Sequence, residues 1–263
     1  VSAVSFDRVA DRYDRTRAVP PAAVAAITQG IVDVLGPRPL LLEVGVGTGR
    51  IAAPLAAAGV RVAGIDVARQ MLGRLVAKGT SVMPVVADAQ APPFRPATFD
   101  GALFVHVLHL VPNALAVVRA AGATVRPGGA LVLGRTEFAP SPFGEVIGLV
   151  WRTVAELGGP PFPREEWNAA ARAAFATGAA LFGAEPYDET VARWTETTSG
   201  RRILDDLAGR IYSSTWAIAD DVMPALLARL EPEVAALAGG LDQPIESAVA
   251  FTLTIARVPE RVQ

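Results

Sequence analysis

Residues 41–50 read LLEVGVGTGR, and the rest of the chain is read outward from them. An apolar run ends in Glu43, and Gly45, Gly47 and Gly49 follow at alternate positions. A short apolar run bounded by glycine reads as a strand buried on both faces. Glycine lacks a Cβ, so the loop after it turns sharply and admits a ligand close to the backbone. In an open parallel sheet, ligands sit beyond the carboxyl ends of the strands, which is where this loop falls.

The same alternation continues on either side. VRVAGID (60–66), SVMPVVAD (81–88), FDGALFVHV (99–107) and ALVLGRTE (130–137) read as strands, with RPGG (126–129) as a turn before the last. RIAAPLAAAG (50–59), ARQMLGRLVAKG (68–79) and NALAVVRAAGATV (113–125) read as the helices between them. Residues 5–17 read as a short polar helix, and the prolines at 20–21 open a second, since proline suits a first helical turn. Strands and helices in this rhythm give an α/β fold: a doubly wound, mostly parallel sheet. After Glu137 the pattern turns helical, over 141–158, 164–178, 200–216 and 219–239. Only 189–197 and 247–258 then look like strands, which brings the expected sheet to seven. We read 1–263 as a single domain, with 1–137 as a cofactor-binding core and 138–246 as mostly helical lid insertions that take the substrate.

Glycine at this spacing suits several nucleotide-type ligands, and three details separate them. A dinucleotide fingerprint runs G-x-G-x-x-G and aims a helix N-terminus at a pyrophosphate. Here the order is G-x-G-x-G, and Arg50 stands where the third fingerprint glycine would be. Glu43 at the strand end repels a pyrophosphate but suits a ligand bearing an ammonium and a sulfonium. Asp66 ends the second strand, where an acid accepts hydrogen bonds from a ribose diol. An NAD-dependent dehydrogenase also lacks support from a Tyr-x-x-x-Lys pair, because Lys78 is the sole lysine.

With those residues in view, the chain resembles the class I S-adenosylmethionine-dependent methyltransferases, in particular the small-molecule branch with a ubiquinone-biosynthesis-type core. LLEVGVGTGR is similar to their first motif, VAGIDVARQML to their second, and VVADAQAPPF, FDGALFVHVLHLVPN and VRPGGALVL to the later ones, in the same order. The resemblance implies a Rossmann-like methyltransferase fold and S-adenosyl-L-methionine as cofactor, with S-adenosyl-L-homocysteine as product. It implies that Glu43 and the backbone at Gly45 and Gly47 hold the methionine amino end, that Gly49 belongs to the same cofactor-binding loop, and that Asp66 takes the ribose hydroxyls. Val67 and Met71 would lie against the adenine, Asp88 would accept from its amino group, and the Ala89 N–H would donate to its ring. The backbone at His106 would close the pocket floor. An N-terminal helix would lie over the cofactor, with Tyr13 and Arg17 four apart on one face and Arg17 pairing with the methionine carboxylate.

Methyl transfer asks chiefly for alignment and exclusion of water. A hydroxyl or thiol acceptor also gains from a base that titrates near neutrality, and His109 is the candidate for that role. The aromatics Trp151, Trp167, Trp194, Tyr212 and Trp216 suit a cover over a flat or apolar acceptor. The fourth strand carries no Asp/Asn-Pro-Pro-Tyr/Phe motif, so oxygen, carbon or sulfur is favoured over a base nitrogen. The alternative is a sensor or partner subunit that binds the same ligands without transferring methyl.

Composition bounds these readings. The 263 residues are 51% hydrophobic and 19% charged with a net charge of −2, as in a globular protein with a sizeable core. There is no basic stripe for nucleic acid and no cysteine for a disulfide or thiolate metal site, so no metal is expected. No stretch approaches the roughly 18 uninterrupted apolar residues of a membrane span. The charged start does not read as a signal peptide, and a cytoplasmic location is expected.

Overall fold

A computed structural model describes residues 6–7, 10–162 and 164–260. The helix read over 5–17 therefore falls partly on residues 5, 8 and 9, outside the described ones. Helices α1 (Ala10–Thr16) and α2 (Pro21–Leu35) lead into β1 (Leu40–Val44), α3 (Ala52–Ala57), β2 (Arg61–Asp66) and α4 (Arg69–Ala77). There follow β3 (Met83–Val86), β4 (Phe99–Val105), a 3-10 turn at Leu108–Leu110, α5 (Ala114–Ala123) and β5 (Val125–Phe138). The later elements are α6 (Pro142–Glu156), α7 (Arg164–Ala180), β6 (Pro186–Ser199), α8 (Gly200–Ala208), α9 (Val222–Ala238) and β7 (Pro244–Arg257).

The strands form one seven-stranded sheet in the order β3-β2-β1-β4-β5-β7-β6. Pairs β1–β2, β2–β3, β1–β4 and β4–β5 are parallel. Strand β7 runs the other way against β5, since Gly128 N–H donates to Val258 O while Ala139 N–H donates to Ala248 O. This is the mostly parallel α/β sheet expected. Strand order reverses between β1 and β4, with Val44 level with Ile65 on one side and Phe104 on the other. The crevice at such a reversal is the natural ligand position.

The chain divides into two compact units. The first holds residues up to Arg135, then Glu165–Ala192 and the segment from Phe251. Its core joins Leu42, Val44, Ile65, Phe104 and Leu131 of the sheet to Val117 of α5 and Phe175 of α7. Helix α7, read from sequence among the added helices, belongs to this unit. The second unit comprises Thr136–Arg164 and Arg193–Ala250. It packs α6, α8 and α9 about Val146, Val150, Leu204, Leu226 and Val234.

Two local readings change. The expected turn at 126–129 lies inside β5, where the register against β4 shifts between Phe99 and Gly101, as a β-bulge does. The helix expected through Trp216 stops at Ala208. Arg210 turns the chain at φ +50° and donates to the carbonyls of Thr215 at 2.7 Å and Ile218 at 2.6 Å. Those bonds give loop carbonyls the partners a helix would have supplied. Among the described residues no helix is long and apolar enough to cross a membrane.

Candidate functional site

Glu43 is the penultimate residue of β1, paired in register with Gly64 on one side and Leu103 on the other. It is 3% exposed, and its Oε2 meets no hydrogen-bond partner. Burial pushes its carboxyl up to about 8; Arg50 pulls it back down and Asp66 adds to the rise. An unpaired buried carboxyl is costly, so the fold holds here an acceptor suited to a cationic donor.

The loop that follows is closed by its own hydrogen bonds. Gly45 and Val46 N–H donate to Ile65 O at 2.9 and 3.0 Å, and Gly49 N–H donates to Val46 O at 2.9 Å. Gly47 N–H donates to Asp66 Oδ2 at 2.9 Å, while Asp66 Oδ1 accepts from Ala68 N–H at 2.8 Å. A phosphate cradle needs free N–H groups aimed at the ligand, and these four are already engaged. Two carboxylates converge instead at the ends of β1 and β2. Burial pushes the Asp66 carboxyl above its ordinary value, the backbone donors of Ala68, Gly47 and Val67 oppose this, and Asp7 adds to it. An acceptor-rich edge of this kind fits a ligand with ammonium and diol donors and disfavours a pyrophosphate.

The glycines earn their places differently from one another. All three have positive φ, +72° at Gly45, +54° at Gly47 and +77° at Gly49. A Cβ on Gly45 would lie 2.6 Å from Val107 Cγ2, and one on Gly49 2.4 Å from Leu75 Cδ1. These two therefore let protein side chains approach. Only at Gly47 is the nearest atom a flexible methyl, Met71 Cε at 3.3 Å.

Val107 reaches Gly45 because His106 turns the chain at φ +52°, a conformation uncommon for a residue with a side chain. The end of β4 is thereby folded back onto the glycine loop across the β1–β4 crevice. His109 follows in the 3-10 turn and is exposed. Val67 is 38% exposed beyond Asp66, whereas Met71 is 2% exposed. Met71 is covered by Ala10, with Phe6 and Tyr13 packed alongside. Asp88 is exposed and caps the turn after β3, accepting from Gln90 N–H at 2.9 Å, and Ala89 is half-buried beside it. Arg17 stacks over the Tyr13 ring at 5.8 Å from its centroid.

Thus Glu43, the three glycines, Asp66 and the backbone at His106 come together at the sheet's reversal, while Tyr13 and Met71 share a packed patch beside it. The aromatics of the later chain are divided between the two units. Trp151 stacks on Phe162 at 4.3 Å within the second unit, and Trp216 donates its indole N–H to Arg210 O at 2.9 Å. Trp167 lies on α7 of the first unit. Sequence reasoning missed Asp14, Thr48 and Lys78, which meet over the loop; the one signal was the solitary lysine. Among the described residues no group of three acids or histidines is placed to hold a metal ion.

Residues 42–133 match the family model described as a methyltransferase domain. The chain is 32% identical over 152 residues to a demethylmenaquinone methyltransferase of Beutenbergia cavernae, covering 56% of this chain and 63% of that one. It is 38% identical over 132 residues to a ubiquinone biosynthesis O-methyltransferase of Methylocella silvestris, covering 45% and 52%. The chain thus spans between about half and under two thirds of these relatives' length. A solved structure of a candidate type II methyltransferase from Anaeromyxobacter dehalogenans shares the fold, with TM-score 0.63, 17% identity and coverage of 93% and 100%. The chain is thus similar to methyltransferases over residues 42–133, and the Rossmann-like sheet expected from that resemblance is present.

Proposed function

We propose that this chain is an S-adenosylmethionine-dependent methyltransferase acting on a small-molecule acceptor. The observation that carries this is the juxtaposition of Glu43, with its unpartnered buried oxygen, and Asp66 beside a loop in which the N–H groups of Gly45, Val46, Gly47 and Gly49 are engaged internally. When bound, S-adenosylmethionine supplies a methyl group activated by its positive sulfur.

Glu43 holds the cofactor's ammonium end, and Asp66 accepts from the ribose hydroxyls while keeping Gly47 in place. Val67 flanks the adenine, and Asp88 with the Ala89 N–H reads its edge. The backbone at His106 closes the floor, and the N-terminal segment carrying Tyr13 and Arg17 excludes water from above. His109 would take the proton that an acceptor hydroxyl or thiol gives up as its oxygen or sulfur displaces the cofactor's sulfur, which leaves as a neutral thioether, from the methyl carbon. Oxygen, carbon or sulfur is favoured over a base nitrogen because the end of β4, FVHVLHL, lacks the Asp/Asn-Pro-Pro-Tyr/Phe motif. One relative's name places its methyl on oxygen.

The test is incubation of the purified chain with S-adenosylmethionine and a panel of phenols, quinols, thiols and amines, reading S-adenosylhomocysteine formed. Turnover on a phenol, quinol or thiol supports the reading. Turnover confined to amines overturns the acceptor preference, and no turnover with intact cofactor binding overturns the enzymatic one.

A further inference from the structure

Lys78 caps the C-terminus of α4 with its ammonium turned onto the glycine loop. Its Nζ donates to Thr48 O at 2.7 Å and lies 2.7 Å from Asp14 Oδ2. Asp14 Oδ1 in turn accepts from Thr48 Oγ1 at 2.5 Å. Three residues far apart in sequence thus close a ring around Thr48, between Gly47 and Gly49. On either side the same segment is tied again. Arg50 Nη1 donates to Arg17 O at 2.8 Å, and Asp7 Oδ1 accepts from Gln70 N–H at 2.8 Å. Beneath these bonds Phe6, Ala10 and Tyr13 pack on Ala68 and Met71.

This hold is built to be reversible. Helix α1 has seven residues, too few for a helix to persist once undocked, so undocking and unwinding are one event. The ion pair is open to solvent, with Lys78 and Asp14 side chains 34% and 44% exposed. Such pairs contribute little to global stability and are screened by salt. Pro20 and Pro21 then fix where the movable part ends, because α2 starts there as an independent helix. What the segment covers includes Met71 and the N-terminus of α4, directly beside Asp66.

We propose that Asp14 and Lys78 are positioning residues that latch the N-terminal segment over the glycine loop and gate exchange of the S-adenosyl ligand. The inference rests on the function proposed above. While latched, Lys78 holds the Thr48 carbonyl and so fixes the peptide between the last two glycines. When the ring around Thr48 opens, α1 unwinds and the ligand exchanges past Met71.

Two readouts test it: hydrogen exchange of residues 10–17 in the ligand-free protein, and S-adenosylhomocysteine release measured by surface plasmon resonance. For Lys78→Met and Asp14→Asn we expect faster exchange in 10–17 and release accelerated about tenfold, since affinity changes fall mainly on dissociation. The ligand-free melting temperature should fall by no more than about 4 °C. Lys78→Arg should restore most of the slow release, and added NaCl should speed release from the wild type but not from Lys78→Met. Unchanged release in both variants overturns the gate, as does faster release without faster exchange in 10–17. Failure of the wild type to bind S-adenosylhomocysteine overturns the functional reading and the gate with it, while the exchange experiment alone still decides whether the latch exists.

Discussion

Asp66 holds the glycine loop shut: its Oδ2 accepts from Gly47 N–H at 2.9 Å while Oδ1 accepts from Ala68 N–H at 2.8 Å. One carboxylate thereby fixes the loop and the start of α4. Each oxygen can accept a further bond, which is what a vicinal diol supplies.

Substitution at this position separates loop support from ligand binding. Asp66→Asn keeps the shape and one acceptor, whereas Asp66→Ala strands two backbone donors as well. We expect affinity for S-adenosylhomocysteine to fall about 10-fold in the first and at least about 100-fold in the second, with the far-ultraviolet circular dichroism unchanged. Calorimetry on both variants checks this, and wild-type affinity in Asp66→Ala contradicts the assignment.

The glycines should divide by what they face. At Gly49 an added methyl meets Leu75 at 2.4 Å in a positive-φ backbone, so Gly49→Ala should cost about 2–4 kcal/mol of stability. At Gly47 only the mobile Met71 methyl stands near, at 3.3 Å, so Gly47→Ala should cost about 1 kcal/mol while weakening ligand binding. Urea unfolding of both proteins, with binding measured in parallel, gives the comparison. Equal destabilisation would contradict the division.

Glu43 makes the ligand-free protein sensitive to pH. Its folded carboxyl titrates at about 8 against an ordinary 4.5, chiefly because it is buried. Between those values the unfolded chain is ionised at this position while the folded one keeps its proton. Stability from this group is therefore complete below about 4.5 and is lost as pH rises through about 8, at about 1.4 kcal/mol for each unit of displacement. Glu43→Gln should raise the melting temperature at pH 9, leave it nearly unchanged at pH 4, and weaken ligand binding at both. Thermal melts across that range measure it; a wild-type profile retained by the variant removes Glu43 as the source.

His109 stands just past β4 in a 3-10 turn, and the proposed function gives it the acceptor's proton. His109→Asn should lower kcat on a hydroxyl acceptor by about 10²–10⁴-fold and remove the acidic limb of its pH profile. Its Kd for S-adenosylhomocysteine should stay within about twofold, because the side chain has no part in holding the cofactor. A kcat within a few-fold of wild type assigns proton removal elsewhere.

Strands β1, β2, β4 and the centre of β5 were legible as short apolar runs buried on both faces, whereas the edge strand β3, with Met83 and Val86 exposed, was legible only as a short apolar run closed by Asp88. Strand β6 was legible only at its centre: residues 189–197 alternate clearly, but the strand extends to Pro186–Ser199 through mostly polar residues. Glu43 and Asp66 were found because an acid closing an apolar strand is conspicuous. The reason for Gly45 and Gly49 was not, since the approaching atoms belong to Val107 and Leu75, remote in sequence. The ring around Thr48 was hidden for the same cause. Asp14 and Lys78 lie 34 and 30 positions from Thr48, and no local pattern records such a meeting. Helix α7 carried no sign of which core it would join, because its apolar residues fit either.

The first experiment is calorimetric titration of the purified chain with S-adenosylmethionine, S-adenosylhomocysteine and NAD in parallel. Micromolar binding of both adenosyl ligands, about −8 kcal/mol, with no heat from NAD is the result expected from Glu43, Asp66 and the closed loop. Binding of NAD, with the adenosyl ligands silent, would mean that the loop opens to cradle a pyrophosphate after all.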